Sequence, residues 1–304
     1  MGRERLDEAA RRAVLIADGA MGTQLQAGGL APGAPGELWV LERPQDVVAI
    51  HRAYREAGAR VLLTNSFGGS RWKLQLAGLE ERVAEVNRVA GELARQAAGE
   101  DAWVLGDIGP TGRFMAPLGT ETFADFVTVF TEQAEALVAG GVDGIIVETM
   151  TALEEARAAL QAAKSVTDLP VAVAMTFTPD RSGEGFHTVM GVSAEEAVAA
   201  LQEAGADIVG SNCGVGSEAM VRILARMAAV ATVPLLAKPN AGVPRLEAGR
   251  TVYDETPERF ARNGAALVAA GGRCGRRVLW HHPRARPRPD RGHPQRPEVR
   301  TGVG

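Results

Sequence analysis

One pattern recurs through the first 271 residues: a short apolar run, a polar or glycine-bearing end, then a segment with helical spacing. The runs are Val14-Leu15-Ile16-Ala17, Val61-Leu62-Leu63, Trp103-Val104-Leu105, Gly144-Ile145-Ile146-Val147, Val171-Ala172-Val173-Ala174-Met175, Asp207-Ile208-Val209 and Leu235-Leu236-Ala237. Helical periodicity follows them over about 44–57, 79–98, 122–139, 153–164, 194–203, 218–228 and 257–270. Continuous rather than alternating apolar runs mark strands buried on both faces, as in a parallel sheet. Seven strand–helix units predict an α/β fold, a (β/α)8 TIM barrel, whose eighth strand falls due just after Gly271. A doubly wound open sheet is the alternative. It is disfavoured because no G-x-G-x-x-G follows the first strand.

The 304 residues, 46% hydrophobic and 23% charged, are ordinary for a globular chain, and an α/β barrel occupies about 250 as one domain. Two cysteines exclude a disulfide framework and fit a reducing, cytoplasmic setting. Residues 1–12 are too charged for a secretory signal. No apolar run approaches the roughly 18 residues of a membrane span. The net charge of −4 conceals an asymmetry: residues 273–304 hold nine Arg against one Asp and one Glu, so the rest of the chain carries −11. The chain therefore divides into a barrel, 1–271, and an Arg/Pro-rich tail, 272–304, expected to be disordered.

In a barrel of this kind, the C-terminal ends of all strands face one mouth, where chemistry is placed. The residues there are Asp18, Asn65, Ser66, Asp107, Glu148, Asn212, Cys213 and Asn240. Each alone is an ordinary cap, turn former or core residue. Together they offer carboxylates for an ammonium group and glycine-rich turns, after Asp18 and Ser66, whose N–H groups suit a carboxylate. Ammonium plus carboxylate is an α-amino acid.

Several motifs in order resemble the homocysteine S-methyltransferases, above all the homocysteine-binding barrel of cobalamin-dependent methionine synthases. They are Asp18-Gly19-Ala20-Met21-Gly22-Thr23, Thr64-Asn65-Ser66-Phe67, Gly106-Asp107-Ile108-Gly109-Pro110-Thr111-Gly112, Val147-Glu148-Thr149, Asn212-Cys213 and Pro239-Asn240-Ala241-Gly242. The resemblance implies a Zn2+ enzyme that methylates the homocysteine thiol to give methionine. It implies substrate binding by Asp18, Gly19, Ala20, Asn65, Ser66 and Glu148, with Glu148 on the amino group. It implies Cys213 as one zinc ligand and Asn240 as a group near the metal when substrate is absent. Zinc would hold the substrate sulfur as the thiolate nucleophile, so that step needs no general base.

The same resemblance calls for an adjacent Cys pair in Gly-Gly-Cys-Cys-Gly after the eighth strand. Here the sequence runs Gly271-Gly272-Arg273-Cys274-Gly275-Arg276-Arg277-Val278-Leu279-Trp280-His281-His282. Neither the pair nor an eighth strand and closing helix is legible. Synonymous codons for Val278–Arg288, read one base later, spell Cys-Cys-Gly-Thr-Thr-Pro-Glu-His-Val-Arg. Codons for Arg276 and Arg277 can supply two glycines before them, and Trp280 leaves no codon choice. The tail therefore reads as a change of frame near codons 271–273, and the chain as written is expected to be destabilised and impaired. Cys274, His281 and His282 are acceptable zinc ligand types but lack the motif's spacing.

The methyl donor is open. The resemblance favours a methylcorrinoid or methylfolate, with cobalamin on a partner protein, and an S-methylmethionine- or betaine-type donor is the alternative. A non-catalytic amino-acid-binding barrel is a second class of function. A basic tail that binds nucleic acid is a third, disfavoured because Trp280 is the tail's lone aromatic. Neither nucleic acid nor membrane is expected as a partner.

Overall fold

The structure, a computed structural model, describes residues 4–31, 33–183, 185–242, 245–247, 250–252, 255–272 and 278–281. Parallel strands β1 (Leu15–Ala17), β2 (Val61–Leu63), β3 (Trp103–Ile108), β4 (Gly144–Met150), β5 (Val171–Met175), β6 (Ile208–Gly216), β7 (Leu235–Asn240) and β8 (Val278–His281) close into a barrel in chain order. Helices α1 (Pro44–Glu56), α2 (Val83–Ala98), α3 (Phe123–Ala139), α4 (Leu153–Val166), α5 (Ala194–Glu203), α6 (Ser217–Val230) and α7 (Pro257–Gly272) alternate with the strands.

Local sequence explains the elements. Pro44 opens α1, where its missing N–H costs nothing. Thr122 with Asp125, and Ser193 with Glu196, form capping boxes that start α3 and α5. Inward-facing Leu15, Leu63, Leu105, Ile146, Ala172, Ile208 and Leu236 fill the barrel, while the outward faces pack against the helices. Asp143 and Asp207 each accept a backbone N–H from a neighbouring strand, Val104 at 2.8 Å and Val171 at 2.7 Å, and so tie adjacent units at the end opposite the mouth.

Three features depart from the sequence reading. The expected eighth strand, missing or garbled in sequence, is supplied by Val278–His281, whose backbone pairs in parallel with β1 and β7. Val, Leu and Trp favour strands, and the edges of β1 and β7 would otherwise stand unpaired. This carries the sheet beyond residue 271, while the closing helix and the rest of the tail lie outside the described residues. The charged N-terminus contains a helix, Leu6–Arg12, whose Leu6, Ala9 and Ala10 join the interior barrel cluster. Met21–Ala27, read as the end of a glycine turn, is a second short helix. No described helix is long and apolar enough to cross a membrane.

Candidate functional site

A cavity of about 580 Å³ opens at the C-terminal ends of the strands, a size suited to a small molecule. Asp18, Gly19, Ala20, Asn65, Glu148, Cys213 and Asn240 all line it. Gly19 admits the wall, because a Cβ there would lie 2.9 Å from the Tyr54 ring. Ser66 does not line it. Its hydroxyl is fully buried and donates to the Asp107 carbonyl at 2.7 Å, which fixes the β2 end against β3. Asn65 has one foot in the structure: its Nδ2 donates to the Gly36 carbonyl at 2.8 Å, anchoring the loop before Leu38.

The walls are acidic and buried. Asp18 accepts the Leu63 N–H at 2.9 Å through Oδ2, whereas Oδ1 has no partner among the described residues. Desolvation by burial raises its pKa to about 7, and the nearby Lys238 opposes the shift. Asp107 Oδ1 also lacks a partner among the described residues, and burial, then the charge of Glu148, push its carboxyl well above the usual range. Glu148 is engaged by a residue that the sequence reading passed over. The Lys238 Nζ donates to its Oε2 at 2.6 Å. Burial alone would lower the Lys238 pKa, but Glu148, Asp107 and Asp18 together hold its ammonium above the ordinary value. A lysine ending the apolar run Leu235-Leu236-Ala237 was the available signal, since a charge there has no solvent on its strand. Glu37, also missed, is buried and accepts the Gly68 N–H at 2.6 Å; burial raises its pKa. Nothing in its loop sequence marked it.

Cys213 sits at the bend of β6, half-buried, its thiol pushed upward by burial and then by the charge of Glu148. Among the described residues it is the sole thiol, and no three His, Cys, Asp or Glu side chains are grouped to hold a metal ion. These residues do not fit a three-thiolate zinc site. Cys274 and His282 lie outside the described residues, and at His281 only the strand backbone is described.

A parallel barrel whose mouth gathers two lysines, Lys73 and Lys238, the carboxyls of Asp18, Glu37, Asp107 and Glu148, and the Cys213 thiol into one cavity has the form of an α/β barrel with a small-molecule site at its strand ends. The chain belongs to the homocysteine S-methyltransferase family, whose family model matches residues 15–277. It is 32% identical over 283 residues to a methionine synthase of Mycobacterium tuberculosis (strain ATCC 25618 / H37Rv), and 32% identical over 285 residues to that of Mycobacterium leprae (strain TN). Each match covers 86% of this chain, which spans 23% of the length of either relative. The metallated form of the homocysteine methyltransferase MmuM from Escherichia coli shares the fold, with a TM-score of 0.71 at 22% identity over 91% of this chain and 94% of that one.

Proposed function

We propose that this barrel binds homocysteine and is built to transfer a methyl group to its thiol. The observation that carries the reading is the mouth itself: Asp18 and Asp107, each with one buried oxygen that has no partner among the described residues, line the same cavity as Cys213. An α-ammonium group satisfies such oxygens at short range, and buried acceptors without a partner are costly until one arrives. Because Glu148 is held by Lys238, the Asp18–Asp107 pair is the open receptor for the amino group, and Glu148 contributes once Lys238 shifts. Gly19 and Ala20 form the adjoining wall, available to the substrate carboxylate.

The described residues and a zinc site disagree, and the change of frame near codons 271–273 accounts for it. A chain in the restored frame carries the Cys pair that Cys213 lacks here, so zinc dependence and full activity belong to that chain. The methionine synthase relatives favour a donor carried by a corrinoid- or folate-binding partner; S-methylmethionine and betaine are the competing donors. The test has three parts: the genomic DNA across codons 265–304, homocysteine calorimetry on this chain, and methyl transfer by the frame-restored chain with each donor. Homocysteine binding by both chains, with zinc-dependent transfer only in the restored one, is expected. A genomic frame without the Cys pair overturns the frame reading, and absence of homocysteine binding by the restored chain overturns the functional one.

A further inference from the structure

Two strands of the barrel break register at the mouth. The pairing of β4 with β5 shifts between Val147 and Met150, and that of β6 with β7 shifts between Asn212 and Gly216. Within these breaks lie the described non-glycine residues in the left-handed region, Thr149 at φ 65° and Cys213 at φ 56°. Bulges beside a site re-aim side chains, and a β-branched residue rarely holds this conformation unless its surroundings impose it.

The imposing group is Asn212. Its Oδ1 accepts the Thr149 N–H at 2.8 Å, and its Nδ2 donates to Thr149 Oγ1 at 2.7 Å. The same Nδ2 lies 3.4 Å from Cys213 Sγ, and Thr149 Oγ1 lies 3.8 Å from it. β5 stands between β4 and β6, so this link is no sheet pairing; it bridges over the β5 end, where Thr176 Oγ1 donates to the Asn212 carbonyl at 2.9 Å. Glycine at 149 would hold the backbone without strain. What threonine adds is a hydroxyl that meets both the Asn212 amide and the sulfur.

We propose that Thr149, acting with Asn212, is the positioning residue that aims the Cys213 sulfur into the mouth. The proposal rests on the reading of Cys213 as part of the methyl-transfer site. Without Thr149 Oγ1 the Asn212 amide keeps only the Thr149 N–H as its anchor from β4, and the sulfur loses one of its two donors.

The test uses the full chain carrying Cys274→Ser, so that Cys213 is the sole thiol, and reads the rate of its alkylation by iodoacetamide beside the thermal midpoint. Thr149→Ser, which keeps the hydroxyl, alkylates at the parent rate. Thr149→Gly and Thr149→Val slow alkylation about three- to tenfold, the worth of one hydrogen bond. Thr149→Gly does so with a midpoint no lower than the parent's, which separates positioning from stability and remains readable if Thr149→Val does not fold. Parent-like alkylation in Thr149→Gly and Thr149→Val, or equal slowing in Thr149→Ser, overturns the proposal. Homocysteine calorimetry on the frame-restored chain reports separately on the methyl-transfer reading: failure to bind sinks that reading while the thiol kinetics still decide this one.

Discussion

The ammonium of Lys238 and a carboxylate oxygen of Glu148 lie 2.6 Å apart, with side chains only 11% and 10% exposed. A pair so buried is strongly coupled, and removing one partner strands the other charge, at about 3–5 kcal/mol. Glu148→Gln leaves Lys238 facing two carboxyls that desolvation has already pushed toward neutrality. It is expected to destabilise by about 3 kcal/mol in urea unfolding. The double variant Glu148→Gln/Lys238→Met removes both charges and is expected to cost less than the sum of the singles. Additive losses would show that the two side chains do not act as a pair.

Asp18 gives the mouth a signature in pH. Its folded pKa of about 7 stands above the ordinary 3.8, so the folded state holds this proton more tightly than the unfolded chain. The contribution is full below the unfolded value and is lost as pH rises through the folded one. Stability relative to Asp18→Asn should therefore decline between about pH 4 and pH 7, by up to about 1.4 kcal/mol per pH unit. A difference between the two proteins that stays constant across that window would show that Asp18 is not held protonated.

Much of this was legible from sequence, and particular residues show why. The strands announced themselves because both their faces are buried, so Ile145-Ile146-Val147 carries no polar residue to blur the pattern. Helix α5 matched its expected span, 194–203, because Ser193 and Glu196 write its start into the sequence. Placement at the mouth followed from topology alone, which is how Asp18, Glu148 and Cys213 could be brought together from distant segments. Pairing was not legible: nothing along the chain says that Glu148 meets Lys238, or that Asn212 reaches over β5 to Thr149, since both depend on register across the barrel. Ser66 illustrates the converse. Its position one residue after Asn65 placed it at the mouth, but the alternation of the backbone turned its hydroxyl inward.

His51 works in the opposite sense to Asp18. It is fully buried in α1, and neither ring nitrogen has a partner among the described residues. Burial lowers its pKa to about 4 from the ordinary 6.5. A depressed pKa means that stability is full above the unfolded value and drains away as pH falls toward the folded one. The chain should lose about 3 kcal/mol from this residue between about pH 6.5 and pH 4, and His51→Leu should be spared that loss. Acid unfolding followed by circular dichroism on both proteins decides it; identical acid limbs would mean that His51 finds a partner in solution.

Two glycines should respond to the same substitution with opposite sign. Gly210 in β6 pairs across to Leu236 in β7, and a Cβ at 210 would lie 2.3 Å from the Leu236 carbonyl oxygen and 2.4 Å from its Cβ. Neither atom can rotate away, so Gly210→Ala must spread the two strands that carry Cys213 and Lys238. Overpacking of this kind costs about 1–3 kcal/mol or more, and the thermal midpoint should fall accordingly. Gly22 lies in the helix Met21–Ala27, and a Cβ there would meet nothing within 4 Å. With helical backbone and open space, Gly22→Ala should stabilise by about 0.5–1 kcal/mol, because alanine surrenders less freedom on folding. Equal midpoints for the two variants would mean that β6 and β7 are not packed at this register, and the same register places Cys213 and Lys238 at one mouth.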